Sequence, residues 1–215
     1  MTEIGLRERK KARTRRGIAD AAARLFAERG YEQVAVSDVA REAEVSEQTV
    51  YNYFQTKEQL VTDLDQPFQE ELDRLIRMRA PGTSPVGAIR ELVRDAVEGI
   101  RHVPHEQWRG ELGYLAAISP TVHRLALEMS DRQANTIATA ITETSAITPE
   151  IAKLQGIALA GVFQIIITEA GQRTLKGQTQ DQIANDLRPA IEAALDDLDR
   201  WMAPTATQAA RTNVT

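Results

Sequence analysis

The chain has no cysteine among its 215 residues. That excludes a disulfide framework and any thiolate metal site, and it suits a reducing compartment. Aromatic residues make up only 5%. Runs of alternating β-branched residues are missing, as are Asn-Gly and Asp-Gly hairpin turns, so strands are not expected. The N-terminus lacks the apolar stretch of a signal peptide. The longest apolar run, Ile157 to Ile167, is 11 residues and is interrupted by Gln164; crossing a bilayer takes about 20. No membrane association and a cytoplasmic location are therefore expected. Ser-His-Asp order and a phosphate-cradling glycine loop are also lacking, so the chain is not expected to be an enzyme or to carry a cofactor. His102 and His105 stand three apart near a helix break without a third ligand, and no metal site is assigned.

The net charge of −5 is unevenly spread: residues 1–16 carry +5 and the remainder −10. A basic end on an acidic body marks that end as the one suited to a polyanion. Hydrophobic content of 42% allows a substantial core. Aliphatic residues recur at three- and four-residue spacing, which gives an all-α reading of about nine helices.

The first helix is expected over about 14–29, with Ile18, Ala22, Leu25 and Phe26 buried and Gly30 as its terminator. The second covers about 36–43, and the third ends near Phe54. A long fourth helix should start at Thr56, in a capping box with Gln59, and run to Arg79 through Leu60, Leu64, Phe68, Leu72, Leu75 and Ile76, kinked at Pro67. Ala80-Pro81-Gly82-Thr83 is a linker. Ser84-Pro85, Ser119-Pro120 and Thr148-Pro149 each place a capping hydroxyl before a proline at the first helical position. They predict helix starts for 85–103, 120–144 and 149–175, with another helix over 105–118. Gly177 closes the eighth helix. Thr179 and Gln182 open the ninth, which bends at Pro189 and stops before Pro204.

Within this pattern the third helix stands out. Ser46 caps it, Val45 and Val50 are spaced as a hydrophobic staple, and Val50 and Phe54 turn inward. Glu47, Gln48, Thr49, Tyr51 and Asn52 face out, with Tyr53 at the edge. A solvated helix normally carries Lys and Glu there. Amides suit adenine, and a Thr methyl or Tyr ring suits the thymine methyl. Lys57 stands where a phosphate would meet its charge and a helix N-terminus. Arg7, Arg9, Lys10, Lys11, Arg13, Arg15 and Arg16 can follow a nucleic-acid backbone or enter a minor groove.

Three stretches resemble the N-terminal domain of TetR-family transcriptional regulators: Ala21-Ala22-Ala23-Arg24-Leu25-Phe26-Ala27-Glu28-Arg29-Gly30-Tyr31, Asp38-Val39-Ala40-Arg41-Glu42-Ala43, and Val45-Ser46 with Val50-Tyr51-Asn52-Tyr53-Phe54, Lys57-Glu58 and Leu60. The resemblance implies a helix-turn-helix domain over 12–72 (motif about 35–54), joined through the long fourth helix to a larger ligand-binding and dimerisation domain over 73–203. The basic arm 1–11 and the tail 204–215 are expected to be disordered. By resemblance, Ser37, Ser46, Glu47, Gln48, Thr49, Tyr51, Asn52, Tyr53 and Lys57 are the DNA-contacting set. The partner is then a double-stranded, palindromic operator. Three departures bear on this. Glu44 stands where the family has Gly, Ala35 where it has a capping Thr, and Tyr53 where it has His.

The eighth helix, apolar nearly all round, needs cover on several sides. With the ninth (Ile183, Leu187, Ile191, Leu195, Leu198) it is the expected homodimer interface, and Gly156, Ala160 and Gly161 permit close approach. The resemblance also implies a small-molecule effector, with Trp108, Tyr114, Met129, Phe163 and Gln164 as candidate lining residues; each reads equally as core. The expected function is that of a ligand-released repressor. The alternatives are a soluble ligand-binding protein with a vestigial helix-turn-helix, an activator, or a partner-controlled regulator.

Overall fold

The computed structural model describes residues 5–63 and 65–203. Leu64 and the expected tail at 204–215 lie outside the described residues. Within them there are nine α-helices and no strand: α1 Leu6–Arg29, α2 Val36–Glu42, α3 Glu47–Tyr53, α4 Asp65–Arg77, α5 Pro85–Gly99, α6 Leu112–Ile118, α7 Pro120–Thr144, α8 Pro149–Leu175 and α9 Gln180–Met202. Short 3-10 turns occupy Glu58–Leu60, Ile100–His102 and Trp108–Gly110.

The anticipated caps are present. Ser84 Oγ accepts from the Gly87 N–H at 2.9 Å, Ser119 Oγ from Val122 at 3.1 Å and Thr148 Oγ1 from Ile151 at 3.5 Å. Thr179 and Gln182 form the reciprocal box, at 3.3 and 2.9 Å. Each hydroxyl satisfies one of the orphan donors of a helix start.

Several elements differ from the sequence expectation. Helix α1 begins at Leu6, so described residues of the basic arm are helical. Thr14, near the expected start, lies inside the helix, and its hydroxyl donates back to the Lys10 carbonyl at 3.0 Å. The fourth helix is not continuous from Thr56. Gln59 does reach back, but to the Gln55 N–H at 2.7 Å, and only a three-residue 3-10 turn follows. The α-helix starts afresh at Asp65, which puts Pro67 in its first turn. An N–H there has no helical acceptor in any case, so the proline helps start the helix and does not kink it. Helix α5 gives way to a 3-10 turn after Gly99, ahead of Pro104, whose ring disfavours helix in the preceding residue. The helix expected over 105–118 is a 3-10 turn, then an extended Glu111, then the seven-residue α6. Helix α9, by contrast, contains Pro189 and ends at Met202, before Pro204, within the expected span.

The chain divides into two compact units, one of 5–63 with Val103–Leu125 and the other of 65–102 with 126–203. The first has one apolar core: Ile18, Ala22, Leu25 and Phe26 of α1, Val39 and Ala40 of α2, Val50 and Phe54, together with Leu115 and Val122 from far along the sequence. The Trp108–Gly110 turn lies directly on α1. A Cβ placed on Gly110 would stand 1.8 Å from the Ala23 carbonyl oxygen, so only glycine allows this approach.

In the second unit, Leu72, Ile76, Ile89, Val93, Ile137, Ile141, Leu159, Ile183 and Leu195 are buried. Phe68 and Phe163 meet edge to face at 4.9 Å. Gly156 brings α8 against α7; a Cβ there would lie 2.4 Å from the Ala134 carbonyl oxygen. Arg90 and Arg94 of α5 pair with Glu192 of α9 at 3.0 and 2.5 Å. The buried Asp65 carboxylate holds Arg132 of α7 at 2.8 Å and Gln133 at 3.4 Å. Although the apolar run in α8 is short, the 27-residue helix containing it is long and apolar enough to cross a membrane by length and composition. A core helix has the same composition, and Ala152, Leu159, Ala160, Val162, Phe163 and Ile166 are buried here.

Candidate nucleic-acid interface

The helix α3 is short, and its two faces have opposite chemistry. Val50 and Phe54 are 0% and 1% exposed and anchor it in the core of the first unit. Glu47, Gln48, Tyr51 and Asn52 are exposed; Thr49 and Tyr53 are half-buried. Ser46 accepts from the Thr49 N–H at 3.1 Å and shares a hydrogen bond with the Thr49 hydroxyl at 2.8 Å, which fixes the first turn. Gln48 Nε2 donates to Asn52 Oδ1 at 3.2 Å along the exposed face. That bond aligns two amides, each able to pair two-fold with a base edge.

The turn into α3 carries the Glu44 departure. Its φ is +54°, and it is the one non-glycine with positive φ among the described residues. The left-handed conformation that glycine takes freely is therefore imposed on glutamate here. Ala35 sits at the N-cap of α2, where a methyl group offers no acceptor. Only half a capping box remains: the Asp38 carboxylate accepts from the Ala35 N–H at 3.1 Å. That bond, then the Arg41 guanidinium, holds the Asp38 carboxyl below its ordinary range. Ser37 is exposed in the first turn of α2.

Lys57 does not lie at an α-helix start. It precedes the 3-10 turn, and its ammonium sits over the Tyr31 ring, 4.2 Å from the centroid. Partial burial lowers its pKa, opposed by the Glu32 and Glu58 carboxylates. The Tyr31 hydroxyl donates to Glu58, and burial followed by that carboxylate's charge pushes its pKa up to about 12. Glu32 in turn accepts from the Ser119 hydroxyl, tying this corner to the start of α7.

The basic residues of α1 divide. Arg7, Arg9, Lys10, Lys11, Arg13 and Arg16 are exposed. Arg7, Glu8, Lys10, Lys11 and Thr14 line an open hollow of about 570 Å³ whose other wall is Tyr53, so the cationic start of α1 stands beside the end of α3. Arg15 differs from its neighbours. Its Nε meets Asp63 Oδ1 at 2.8 Å, its Nη1 meets the Tyr53 carbonyl at 3.0 Å, and its guanidinium lies 4.7 Å from the Phe54 ring centre.

Residues 18–64 match the model of bacterial regulatory proteins, tetR family. These residues form a TetR-type N-terminal domain. The chain is 23% identical over 205 residues to the HTH-type transcriptional regulator TcmR of Streptomyces glaucescens, covering 90% of this chain and 86% of that one. Over 59 residues it is 41% identical to the fatty acid metabolism regulator protein of Bacillus subtilis, covering 27% and 29%. Its fold is that of NalD of Pseudomonas aeruginosa, described as the secondary repressor of the MexAB-OprM multidrug efflux pump (TM-score 0.58, 18% identity, 90% and 99% covered). The SmeT–triclosan complex is equally similar (TM-score 0.59, 17% identity, 86% and 90% covered). As in these TetR-type proteins, a helix-turn-helix precedes a larger helical part, and the protein is a DNA-binding transcriptional regulator.

The candidate effector residues fall in different places. Trp108 and Tyr114 belong to the first unit; Tyr114 is half-buried with the Arg109 guanidinium 5.9 Å from its ring centre. Met129 and Phe163 are buried in the second unit. Gln164 is half-buried and donates within its own helix to the Thr168 hydroxyl at 3.4 Å. Sequence reasoning missed what Arg15 and Tyr31 do. Both act on partners tens of residues away, and no local spacing encodes that.

Proposed function

We propose that this regulator is a homodimeric repressor that reads a palindromic operator with the outward face of α3 and leaves it when a small molecule binds. The observation that carries the reading is the α3 helix itself: an apolar anchor fully buried, and an exposed face of amides, a hydroxyl and aromatic rings beside a cationic helix start. Ser46, Glu47, Gln48, Thr49, Tyr51, Asn52 and Tyr53 would meet base edges and nearby phosphates, with Ser37, Lys57 and the exposed cations of α1 on the backbone. A dimer supplies two such helices for successive major grooves, about 34–36 Å apart or a multiple of that.

The second copy would sit on α8 and α9. Leu154, Ile157 and Ile165 of α8 are 57%, 51% and 53% exposed, an apolar line that a single chain leaves in water. The small residues of α8 divide accordingly: Gly156 is used against α7, whereas a Cβ on Gly161 would meet nothing within 4 Å, leaving room for another helix. Release follows from a population shift: an effector that favours a state with the reading heads out of register weakens operator binding. A coupling of ~1–3 kcal/mol changes affinity about 5–150-fold. The chain passes between its two units at 63/64, 102/103 and 125/126, which gives three covalent routes for that coupling. Effector relief is supported by the relatives: NalD is described as a repressor of an efflux pump, and SmeT as bound to triclosan. The protein would act in the cytoplasm, where its operator is.

The test joins a sizing column to duplex selection. The full chain should elute as a dimer and enrich inverted-repeat fragments from random DNA. A chain that stays single and ignores duplex at low salt ends the reading.

A further inference from the structure

The Arg15 guanidinium joins Asp63 to the Tyr53 carbonyl at the end of α3. Arg15 belongs by sequence to a run of cations suited to phosphate. We infer that it instead sets the orientation of α3, with Asp63 as its fixed counter-ion, and so determines base discrimination without touching DNA. The inference rests on the DNA-reading role of α3 proposed above.

Helix α3 has seven residues. At ~1.5 Å rise per residue, a tilt of 10° about its capped start would displace its far end by about 2 Å. Base-edge hydrogen bonds hold over a donor–acceptor range of only about 0.5 Å. A helix this short therefore needs a fixed point at each end if its amides are to read sequence. Ser46 and Val50 supply the first. At the other end, the Tyr53 carbonyl is one of the last four of the helix, which lack helical donors. It receives Arg15 Nη1 at 3.0 Å, a charge-assisted bond that also favours the negative end of the helix dipole. The same guanidinium covers the Phe54 ring and places its Nε and Nη2 on one oxygen of Asp63, in the turn before α4. One planar fork thus joins α1, the end of α3 and the turn beyond the 3-10 segment.

Of its five N–H groups three are engaged and one face is occupied by Phe54. Arg7, Lys10 and Lys11 of the same helix are exposed and line the hollow beside Tyr53, where a phosphate could reach them. As an ion pair, with side chains 43% and 18% exposed, Arg15–Asp63 adds little to stability. Its consequence is geometric.

The test uses the full-length protein, a duplex selected from a random pool by the wild type, and an unrelated duplex of equal length, each titrated over a range of salt. Arg15→Lys keeps the charge and loses the fork; Asp63→Asn removes a negative charge. Both should cut the ratio of selected to unrelated affinity by roughly tenfold, the scale of one good base contact, with little change in binding to the unrelated duplex or in its salt slope. Asp63→Asn carries the decisive sign, since a purely electrostatic account predicts tighter binding once the carboxylate is gone. Arg15→Gln should likewise leave the slope intact, whereas a phosphate contact would lower it by about 0.9. A lowered slope, a tighter Asp63→Asn, an unchanged ratio, or loss of the folded state in the conservative variants each overturns the proposal. Failure of the wild type to bind any duplex would instead remove the DNA-reading role itself.

Discussion

At the scale of single residues, the first unit contains two side chains in constrained settings. Glu44 holds φ +54° in the turn between α2 and α3. Glu44→Gly removes the clash of Cβ with the backbone and should raise stability by about 1 kcal/mol, net of the freer unfolded chain. Thermal denaturation reads this directly, and an unchanged or lower midpoint would show that the turn carries no strain. Lys57, resting on Tyr31 between two carboxylates, keeps one charge near the interface. Its replacement by Ala should weaken binding to all duplexes alike and lower the salt slope by about one unit. A sequence-selective loss would place Lys57 among the base readers. The sequence made the Glu44 position visible, because a local turn needs a local conformation. The Tyr31 ring under Lys57 was not visible, because cation and ring come together only when the core closes.

At the scale of elements, helix starts were legible and helix interruptions were not. A hydroxyl before a proline acts within one turn, so all three such starts fall where the sequence puts them. The break before α4 has no such mark. The periodicity of Leu60, Phe68, Leu72 and Ile76 continues across it, and Pro67 looks like a kink until the helix is seen to begin two residues earlier. The Trp108–Gly110 turn is likewise defined by what it touches. Gly110→Ala would drive a methyl into the backbone of α1 at Ala23. Because that obstacle is backbone and cannot rotate away, the expected cost is about 3 kcal/mol, at the upper end for overpacking. A fall in the unfolding midpoint of the full chain measures it; a neutral effect would mean that the turn lifts off α1 freely.

At the scale of the whole molecule, the pattern of charge burial sets a pH dependence. Glu111 stands at the start of α6 within the first unit, and burial, then the charge of Asp20, raises its carboxyl above the ordinary 4.5. The folded protein therefore binds this proton more tightly than the unfolded chain does. Its contribution favours folding most below pH 4.5 and is lost as pH rises through the raised value. Glu111→Gln should accordingly stabilise the protein at neutral pH, with the advantage shrinking as pH falls through the raised value and gone below 4.5. Unfolding midpoints of both proteins across pH check this, and a difference that grows in acid reverses the assignment.

What the sequence determined alone was local: helical class, capped starts, the buried side of α3 and the polar character of its other side. All of these depend on contacts within a few residues. Tertiary structure decided which distant groups meet. It packed 103–125 with the helix-turn-helix, laid Lys57 on Tyr31, and took Arg15 out of the cationic run to hold the end of α3. Those pairings join residues 26 to 48 positions apart or more, and only closure of the core brings them together.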